Sequence, residues 1–460
     1  MAPILNRLLA VGNLLFHVGP FDSASEAGRA KERQRRALLS SGAAVLAKMT
    51  SVAVNFLMVP LTLGYLGSER FGLWMAISSV IAMLTFADLG IGNGLLNAVS
   101  EAYGKNDRAS IRRYISSAFV ILSVIAVVIL LVFGAVYPWI PWPRFFNVHS
   151  DLAARESGQA VAAFVICFAL NIPMALVQRV QLGLQMGFVA NLWQALGSLI
   201  ALCAVVAATR LHAGLPILVS AMAGAPVFAA LLNSVYFFGV SHRELRPRLA
   251  TAGRAAASRI GRSGLLFVLL QLVASVTYAS NAFIIVRMLG PEAATTFAVP
   301  DRMFSVVPLF MSMLLMPLWP AYGEAVARGD RAWAERTLKQ SVYFSLAIAA
   351  VLSVALTLGH KFIFQVWLKH QLEVPVDFLW GMCLWKILEA VGNAIAMYLN
   401  GVNVVKAQLV IASVTAVTSL ILKIVLVQQI GVSGVIWGTL ICYAVFALLP
   451  YFFILRTARS

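Results

Sequence analysis

The sequence predicts an all-α integral membrane protein. Apolar residues make up 61% of its 460 residues and charged residues only 12%, and the mean hydropathy is +0.87. A soluble globule could not cover itself with so few polar side chains. Hydrophobic runs of about 18 to 25 residues recur along the chain, which is the length that a helix needs to cross the hydrocarbon core. Barrel strands would be shorter and would alternate in polarity, so the spans are predicted to be helices.

Twelve transmembrane helices are predicted from the apolar runs between charged or Gly/Pro-rich breaks. They lie at residues 39–65, 72–97, 113–137, 159–181, 188–209, 214–240, 263–286, 294–319, 338–359, 376–399, 407–428 and 430–455. If the N-terminus is inside, the cytoplasmic connections and the span ends beside them carry 24 Lys and Arg residues, and the outer connections carry 7. This bias predicts that both termini lie in the cytoplasm.

Four segments follow from this pattern. They are a basic cytoplasmic leader at 1–38, a six-helix bundle at 39–240, a basic linker at 241–262 and a second six-helix bundle at 263–460. The leader contains an apolar stretch that resembles the core of a signal peptide, but Arg7 and Asn13 interrupt it and a basic run follows. We therefore expect a partly amphipathic segment on the membrane surface, with a cleaved signal or a disordered segment as the alternatives.

The two bundles are predicted to be copies of one another. The stretch "EAYGKNDRASIRR" at 101–113 returns as "EAVARGDRAWAER" at 324–336, and the same offset of 223 residues pairs "YLGSERFG" with "MLGPEAAT". Since each half has an even number of spans, the halves are related by an axis along the membrane normal and enclose a central cleft. Asp107 and Asp330 are expected to cap the helices that follow them.

The composition argues against several classes of protein. The four cysteines lie in apolar runs without C-x-x-C spacing and the six histidines are scattered, so neither a metal site nor a cofactor is predicted. The net charge of +17 follows the cytoplasmic loops and does not indicate nucleic acid. A membrane glycan polymerase is an alternative, but the longest outer connection offers only Asp151 and Glu156 as acids. We predict a transporter that works by alternating access, and not an enzyme.

Seven charged side chains lie more than two residues from either end of a predicted span, where each costs about 2.5–3.5 kcal/mol if it is central and unpaired. The cations are predicted to bind an anionic substrate group: Lys48, Arg302, Lys386 and Lys423. The acids are predicted to serve ion coupling or gating: Asp88, Asp301 and Glu389. The excess of cations favours an anionic cargo.

Two pairs of charged residues that lie close together in the sequence also have structural interpretations. Lys386 and Glu389 are spaced i, i+3 on one helix and could neutralise each other. Asp301 follows Pro300 and precedes Arg302, so it could form an ion pair or cap a helix at a proline break. In either case the charges would stabilise the fold without contacting substrate.

The remaining charges have alternatives too. Lys423 could extend its ammonium group to the outer surface. Asp88 precedes a run of glycines and could mark a helix break at an inner gate. Lys48 aligns through the repeat with Gln271, and we predict that both side chains line the central cleft.

The stretch "YLGSERFGLW", the stretch "FADLGIGNGLLNAVSEAYGKND" and the basic start of the third span resemble the polysaccharide-export branch of the multidrug/oligosaccharidyl-lipid/polysaccharide exporter superfamily. The resemblance extends from about residue 38 onward. It implies a flippase of the bacterial inner membrane that moves a glycan linked to undecaprenyl diphosphate to the outer leaflet, for surface polysaccharide biosynthesis. Its partners would be that glycan lipid, membrane lipid and a coupling proton or sodium ion.

Two transporter alternatives stay open. A related branch of the superfamily exports cationic drugs. The major facilitator superfamily also has two halves of six helices and a repeated loop motif of the form G-x-x-x-D-R-x-G-R-R. The first copy here places Gly104 one residue too close to Asp107 and lacks the second glycine, and in the second copy Ala327 replaces the leading glycine.

Overall fold

We describe the chain from a computed structural model, which covers residues 26–82, 88–146, 148, 150–368, 374–451 and 453. Within these ranges every regular element is helical. The helices form two compact units, which we call the N-terminal unit and the C-terminal unit, and the division falls between Leu265 and Leu266. The first 25 residues, which hold most of the predicted leader, lie outside the described residues.

The N-terminal unit has two apolar cores. Its α-helices are α1 (Glu26–Ala82), α2 (Ile91–Gly104), α3 (Arg108–Val136), α4 (Trp142–Phe145), α5 (Asp151–Met174), α6 (Leu176–Gly183), α7 (Gly187–Arg210) and α8 (Leu215–Tyr236). One core lies where α2, α3 and α6 meet, around the fully buried Leu95, Ile115 and Val180. The other joins α1, α5 and α8 around Ala160 and Leu215. Small residues in both cores let the helices approach closely.

The C-terminal unit packs around one half-buried helix, Val376–Gly401. The helices are α9 (Arg254–Leu289), which begins before the division between the units, α10 (Pro291–Phe304), α11 (Val306–Leu315), α12 (Leu318–Ala327), α13 (Arg331–Leu368), α14 (Val376–Gly401), α15 (Val405–Ile430) and α16 (Ser433–Tyr443). Helix α14 contributes Phe378 and Met382 to a core that also contains Phe304. Half of the most apolar stretch of α14 is buried inside the protein. This helix is therefore the one best placed to hold charged side chains away from lipid.

Eleven of the described helical segments are long and apolar enough to cross a membrane. The predicted second span at 72–97 includes residues 83–87, which lie outside the described residues. The all-α membrane fold is confirmed. Several predicted boundaries differ from the structure. In particular, α1 already begins at Glu26, within the predicted leader, and α9 begins at Arg254, within the predicted linker.

The backbone repeats where the sequence repeats. Helix α1 is interrupted at Gly67, whose φ is 74°, and the corresponding Gly290 has a φ of 90°. These two residues are separated by the 223 residues of the sequence repeat. Gln185 and Asn403, which align in a later part of the repeat, both adopt the left-handed conformation, with φ of 60° and 61°. Since side chains disfavour this conformation, its recurrence indicates a duplicated turn geometry.

Asp107 caps α3, as the sequence predicts. Its carboxylate accepts a hydrogen bond from the backbone N–H of Ser110 at 2.9 Å. Hydrogen bonds from Ser110 hold the pKa of Asp107 below its usual value. In the second copy the carbonyl of Asp330 accepts from Ala334 at 3.2 Å at the start of α13. Both repeated segments thus begin a helix.

Two glycines allow α2 and α9 to touch through their backbones. A methyl group on Gly264 would lie 2.8 Å from the carbonyl oxygen of Gly90 and 3.1 Å from the nitrogen of Ile91. A methyl group on Gly94 would collide with the carbonyl of Ile260 in the same crossing. The start of α2 is therefore held against α9 by a contact that tolerates no side chain.

We expect Gly264→Ala to lower the thermal stability of the purified protein, because the new methyl group must displace backbone at a cost of about 1–3 kcal/mol. Gly261→Ala is the matched control on the same helix, since a methyl group there meets nothing within 4 Å. The control should be unchanged or stabilised by up to about 1 kcal/mol through helix propensity. Equal melting temperatures for the two variants in detergent would contradict this account of the crossing.

Candidate functional site

A cavity of about 180 Å³ lies inside the C-terminal unit. Helices α9, α10, α14, α15 and α16 line it mostly with apolar side chains. Its charged lining residues are Asp301 and Lys423, and Thr277 and Asn281 add neutral polar groups. Two of the predicted site residues are therefore brought to one cavity, although they are far apart in sequence.

Lys423 is fully buried in α15. Its Nζ donates a hydrogen bond of 2.6 Å to Asn281 Oδ1 and one of 3.2 Å to the carbonyl oxygen of Thr277, both on α9. Gly438 on α16 makes room for it, because a methyl group there would lie 3.1 Å from the Cα of Lys423. Among the described residues no carboxylate lies within 4.0 Å of this ammonium group. Neutral dipoles hold the cation, so its charge is not cancelled within the protein.

The predicted alternative that Lys423 reaches the outer surface is therefore wrong. The ammonium group points to α9 and is covered there. The reason is that Asn281 and the Thr277 carbonyl offer acceptors inside the unit, which replace part of the hydration that the surface would supply.

Lys386 on α14 is bound differently, because it meets two carboxylates. It is 4% exposed, and its Nζ lies 3.0 Å from Glu389 Oε2 and 3.9 Å from Asp301 Oδ1. The second oxygen of Glu389 accepts a hydrogen bond of 2.6 Å from the hydroxyl of Tyr278. The expected pairing of Lys386 with Glu389 is thus present. Asp301 and Tyr278 extend it at its two ends, so that four groups on α10, α14 and α9 form a row: Asp301, Lys386, Glu389 and Tyr278.

Helix α10 carries Asp301 to this row. The helix continues through Pro300 and ends at Phe304, and Ser305 separates it from α11. The N–H of Ser305 donates to the carbonyl of Asp301 at 2.9 Å. The predicted helix break at Pro300 is wrong, since the last turn of α10 continues for four residues beyond it. Asp301 therefore lies within a helix and is free of a capping role in the described structure.

Arg302 and Lys48 are not part of this cluster. Both are exposed, and neither forms a salt bridge or side-chain hydrogen bond with another described residue. The predicted ion pair between Asp301 and Arg302 is absent from the described contacts, because Asp301 is directed to Lys386 on α14. Gln271, the repeat counterpart of Lys48, is also exposed. That Lys48 and Gln271 line a cleft stays a prediction.

Asp88 organises the start of α2. Its Oδ1 accepts from the N–H of Gly90 at 3.0 Å and its Oδ2 accepts from the N–H of Gly92 at 3.3 Å. The intervening Leu89 has a φ of 49° and Gly90 a φ of 68°. The expected helix break at Asp88 is therefore present as two successive left-handed residues with the carboxylate folded over them.

Arg179 faces Asp88 and was missed, because it lies two residues from the predicted end of the fourth span and was counted with the connection that follows. A methyl group on Gly92 would lie 3.0 Å from both Asp88 Oδ2 and Arg179 Nε. Both side chains also line a cavity of about 160 Å³ in the N-terminal unit. The signal that could have revealed it is its position within an apolar run next to the predicted end of a span.

The sequence is similar to a known protein family and to proteins named as transporters. The family described as "Polysaccharide biosynthesis protein" matches residues 39–326. A protein of Salmonella typhimurium called "Putative O-antigen transporter" is 21% identical over 432 residues, which are 92% of this chain and 97% of that protein. A "Putative O-antigen export protein" of Yersinia pseudotuberculosis is 20% identical over 416 residues, covering 86% of this chain and 91% of that one.

Solved structures show the same fold. A multidrug resistance MATE family transporter of the MOP superfamily, in an outward-facing conformation, superposes with a TM-score of 0.73 at 15% identity and covers 92% of this chain and 95% of its own. A MOP superfamily transporter from Pyrococcus furiosus gives a TM-score of 0.75 at 13% identity, with coverage of 92% and 96%. At such identities the likeness concerns the fold alone.

We expect Lys386→Met to destabilise the protein by up to about 3–5 kcal/mol, because it leaves the mostly buried carboxylate of Glu389 without its cation. The double variant Lys386→Met/Glu389→Leu should recover much of that loss. Lys105→Met is the control, since its ion pair with Glu101 is solvent-exposed and is worth at most about 1 kcal/mol. Thermal unfolding in detergent measures the stability of all three variants. A Lys386→Met variant that melts like the wild type would refute the stabilising role of the ion pair between Lys386 and Glu389.

Proposed function

Because this chain belongs to the polysaccharide biosynthesis protein family, we propose that it is a flippase for a lipid-linked oligosaccharide, with a role in polysaccharide export. The cargo is a glycan on undecaprenyl diphosphate, and it moves from the inner to the outer leaflet of the bacterial inner membrane by alternating access. Relatives named as O-antigen transporters that match over most of the chain support this function. They favour a transporter over the membrane polymerase, and the solved-structure likeness gives no support to the major facilitator alternative.

The observation that carries the proposal is the buried Lys423 ammonium group. A cation inside a membrane protein is costly, and proteins generally keep one there for function. Its partners Asn281 and Thr277 contribute only neutral acceptors. It can therefore attract an anion without first releasing a carboxylate, which suits a diphosphate that must leave the headgroup region.

Lys386 supplies a second cation that is already engaged. In our proposal, its carboxylate partners Glu389 and Asp301 serve ion coupling. Uptake of a proton or a sodium ion by these acids weakens their hold on Lys386 and frees its charge for the cargo. Release of the ion restores the row. This exchange would link ion movement to cargo binding within a single unit.

A cationic-drug exporter of the same superfamily is the second candidate, and the specific observation in its favour is the carboxylate of Asp301 on the cavity. A cationic drug would, however, be repelled by the uncompensated charge of Lys423.

Three further residues have roles in the proposed flippase. Arg302 and Lys48 serve as cargo ligands, and Asp88 serves as a gating residue. In the orientation that the distribution of Lys and Arg predicts, both termini lie in the cytoplasm.

Deletion of the gene should cause an undecaprenyl-linked intermediate to accumulate in the cell and the surface polysaccharide to be lost. Complementation with the wild-type gene should reverse both effects. If no intermediate accumulates and sensitivity to cationic drugs rises instead, the drug-exporter alternative is correct.

Lys423→Met separates a functional lysine from a structural one. The variant should lose export, while its melting temperature stays equal or rises, because removal of a buried charge that no acid neutralises relieves a desolvation cost. Lys406→Met, at an exposed position at the start of α15, is the matched control and should complement fully. Export that survives in Lys423→Met would refute the role of this cation, and a large loss of stability would indicate a structural role instead.

A further inference from the structure

Two neighbouring cavities inside the N-terminal unit differ in character from the one that contains Lys423. Their volumes are about 300 and 410 Å³, within the size range of sites for small ligands. Ser51, Asn171 and Ser198 line both, so the cavities are contiguous. Among the described residues that line them, none is Asp, Glu, Lys or Arg. Asn171 also lines the cavity that contains Asp88 and Arg179, so charged groups adjoin these two cavities but are not among their own lining residues.

Two amides of these cavities have unused hydrogen-bonding capacity. Other amides of the unit are paired: Gln181 and Asn233, which also lines the smaller cavity, exchange two hydrogen bonds of 2.7 and 3.0 Å, and Asn191 donates to the carbonyl of Ser40 at 3.0 Å. The side chains of Asn171 and Gln178 have no such partner among the described residues. Each can donate two hydrogen bonds and accept two.

Aromatic surface lies beside these amides. Trp193 lines the smaller cavity together with Gln178, and Phe168 lines the larger one together with Asn171. The faces of aromatic rings carry partial negative charge and attract the C–H groups of a flat, apolar face of a ligand. A ligand that matches both features has hydroxyl groups around its edge and C–H groups on its faces.

We infer that these cavities bind sugar rings of the cargo, with Asn171 and Gln178 as hydrogen-bonding residues and Trp193 as a stacking surface. The inference rests on the proposed function and adds the site that recognises the glycan. Cavities whose described lining contains no carboxylate, ammonium or guanidinium group suit a neutral polyhydroxylated ligand. An acyl chain would leave the amides unsatisfied, at a cost of about 1–3 kcal/mol for each buried group.

The test is a binding measurement with protein in phospholipid nanodiscs, free of maltoside detergents because their sugar headgroups would compete. The probes are undecaprenyl diphosphate and the same lipid carrying the host's own oligosaccharide, extracted from the deletion strain. Wild-type protein should bind the glycan-bearing lipid more tightly. Asn171→Leu/Gln178→Met should weaken its binding by about tenfold, and leave binding of undecaprenyl diphosphate within about twofold.

Asn191→Leu is the control, because this amide lies in the same unit but faces Ser40. Trp193→Leu is a second variant should the double variant melt early, and it should show the same selective loss. Equal binding of the two lipids by the wild type, or equal effects of the variants on both, would overturn the inference while leaving the proposed function intact. Failure of the wild type to bind either lipid would overturn the proposed function as well.

Discussion

The cost of charge inside a membrane is the constraint on which the rest of this structure depends. The C-terminal unit meets it in two ways. Lys386 is neutralised by carboxylates in a row that ends at the hydroxyl of Tyr278, whereas Lys423 is held only by the dipoles of Asn281 and Thr277. The first arrangement can exchange partners, and the second keeps an attractive charge in place. In our proposal, together they give one unit both an ion-sensitive element and an anion-attracting element.

The helical scaffold is duplicated, but the charged side chains of the candidate site are not. Positive φ angles recur at matching positions of the two copies, as at Gly67 and Gly290. By contrast, the left-handed break after Asp88 has no counterpart in the second copy, where the equivalent residues lie within α11. The cations Lys386 and Lys423 are likewise confined to the C-terminal unit. We propose that the duplicated scaffold undergoes the conformational change of transport. The charged groups that occur in one copy only would bind the cargo and the coupling ion.

Hydropathy was sufficient for the fold class, because a bilayer imposes span length and composition on any sequence. The orientation predicted from the Lys and Arg counts stays a prediction. The i, i+3 spacing also predicted the contact between Lys386 and Glu389. Tyr278 and Asn281 could not be found in this way, since they are uncharged and reach the site from another helix. Arg179 was missed because the end of a span is poorly defined by hydropathy. The continuation of α10 beyond Pro300 reflects tertiary packing, which overrides the local preference of proline.

The central claim is that this chain itself moves a glycan-bearing polyprenyl diphosphate across the bilayer. The most direct measurement uses proteoliposomes that contain only the purified protein and the labelled lipid-linked oligosaccharide. The fraction of glycan open to an impermeant oxidant, periodate, is then followed over time. Liposomes without protein should expose only about half of the glycan, and with the protein a time-dependent increase toward full oxidation is expected. An exposed fraction that stays at the protein-free value, with or without an imposed proton or sodium gradient, would contradict the account.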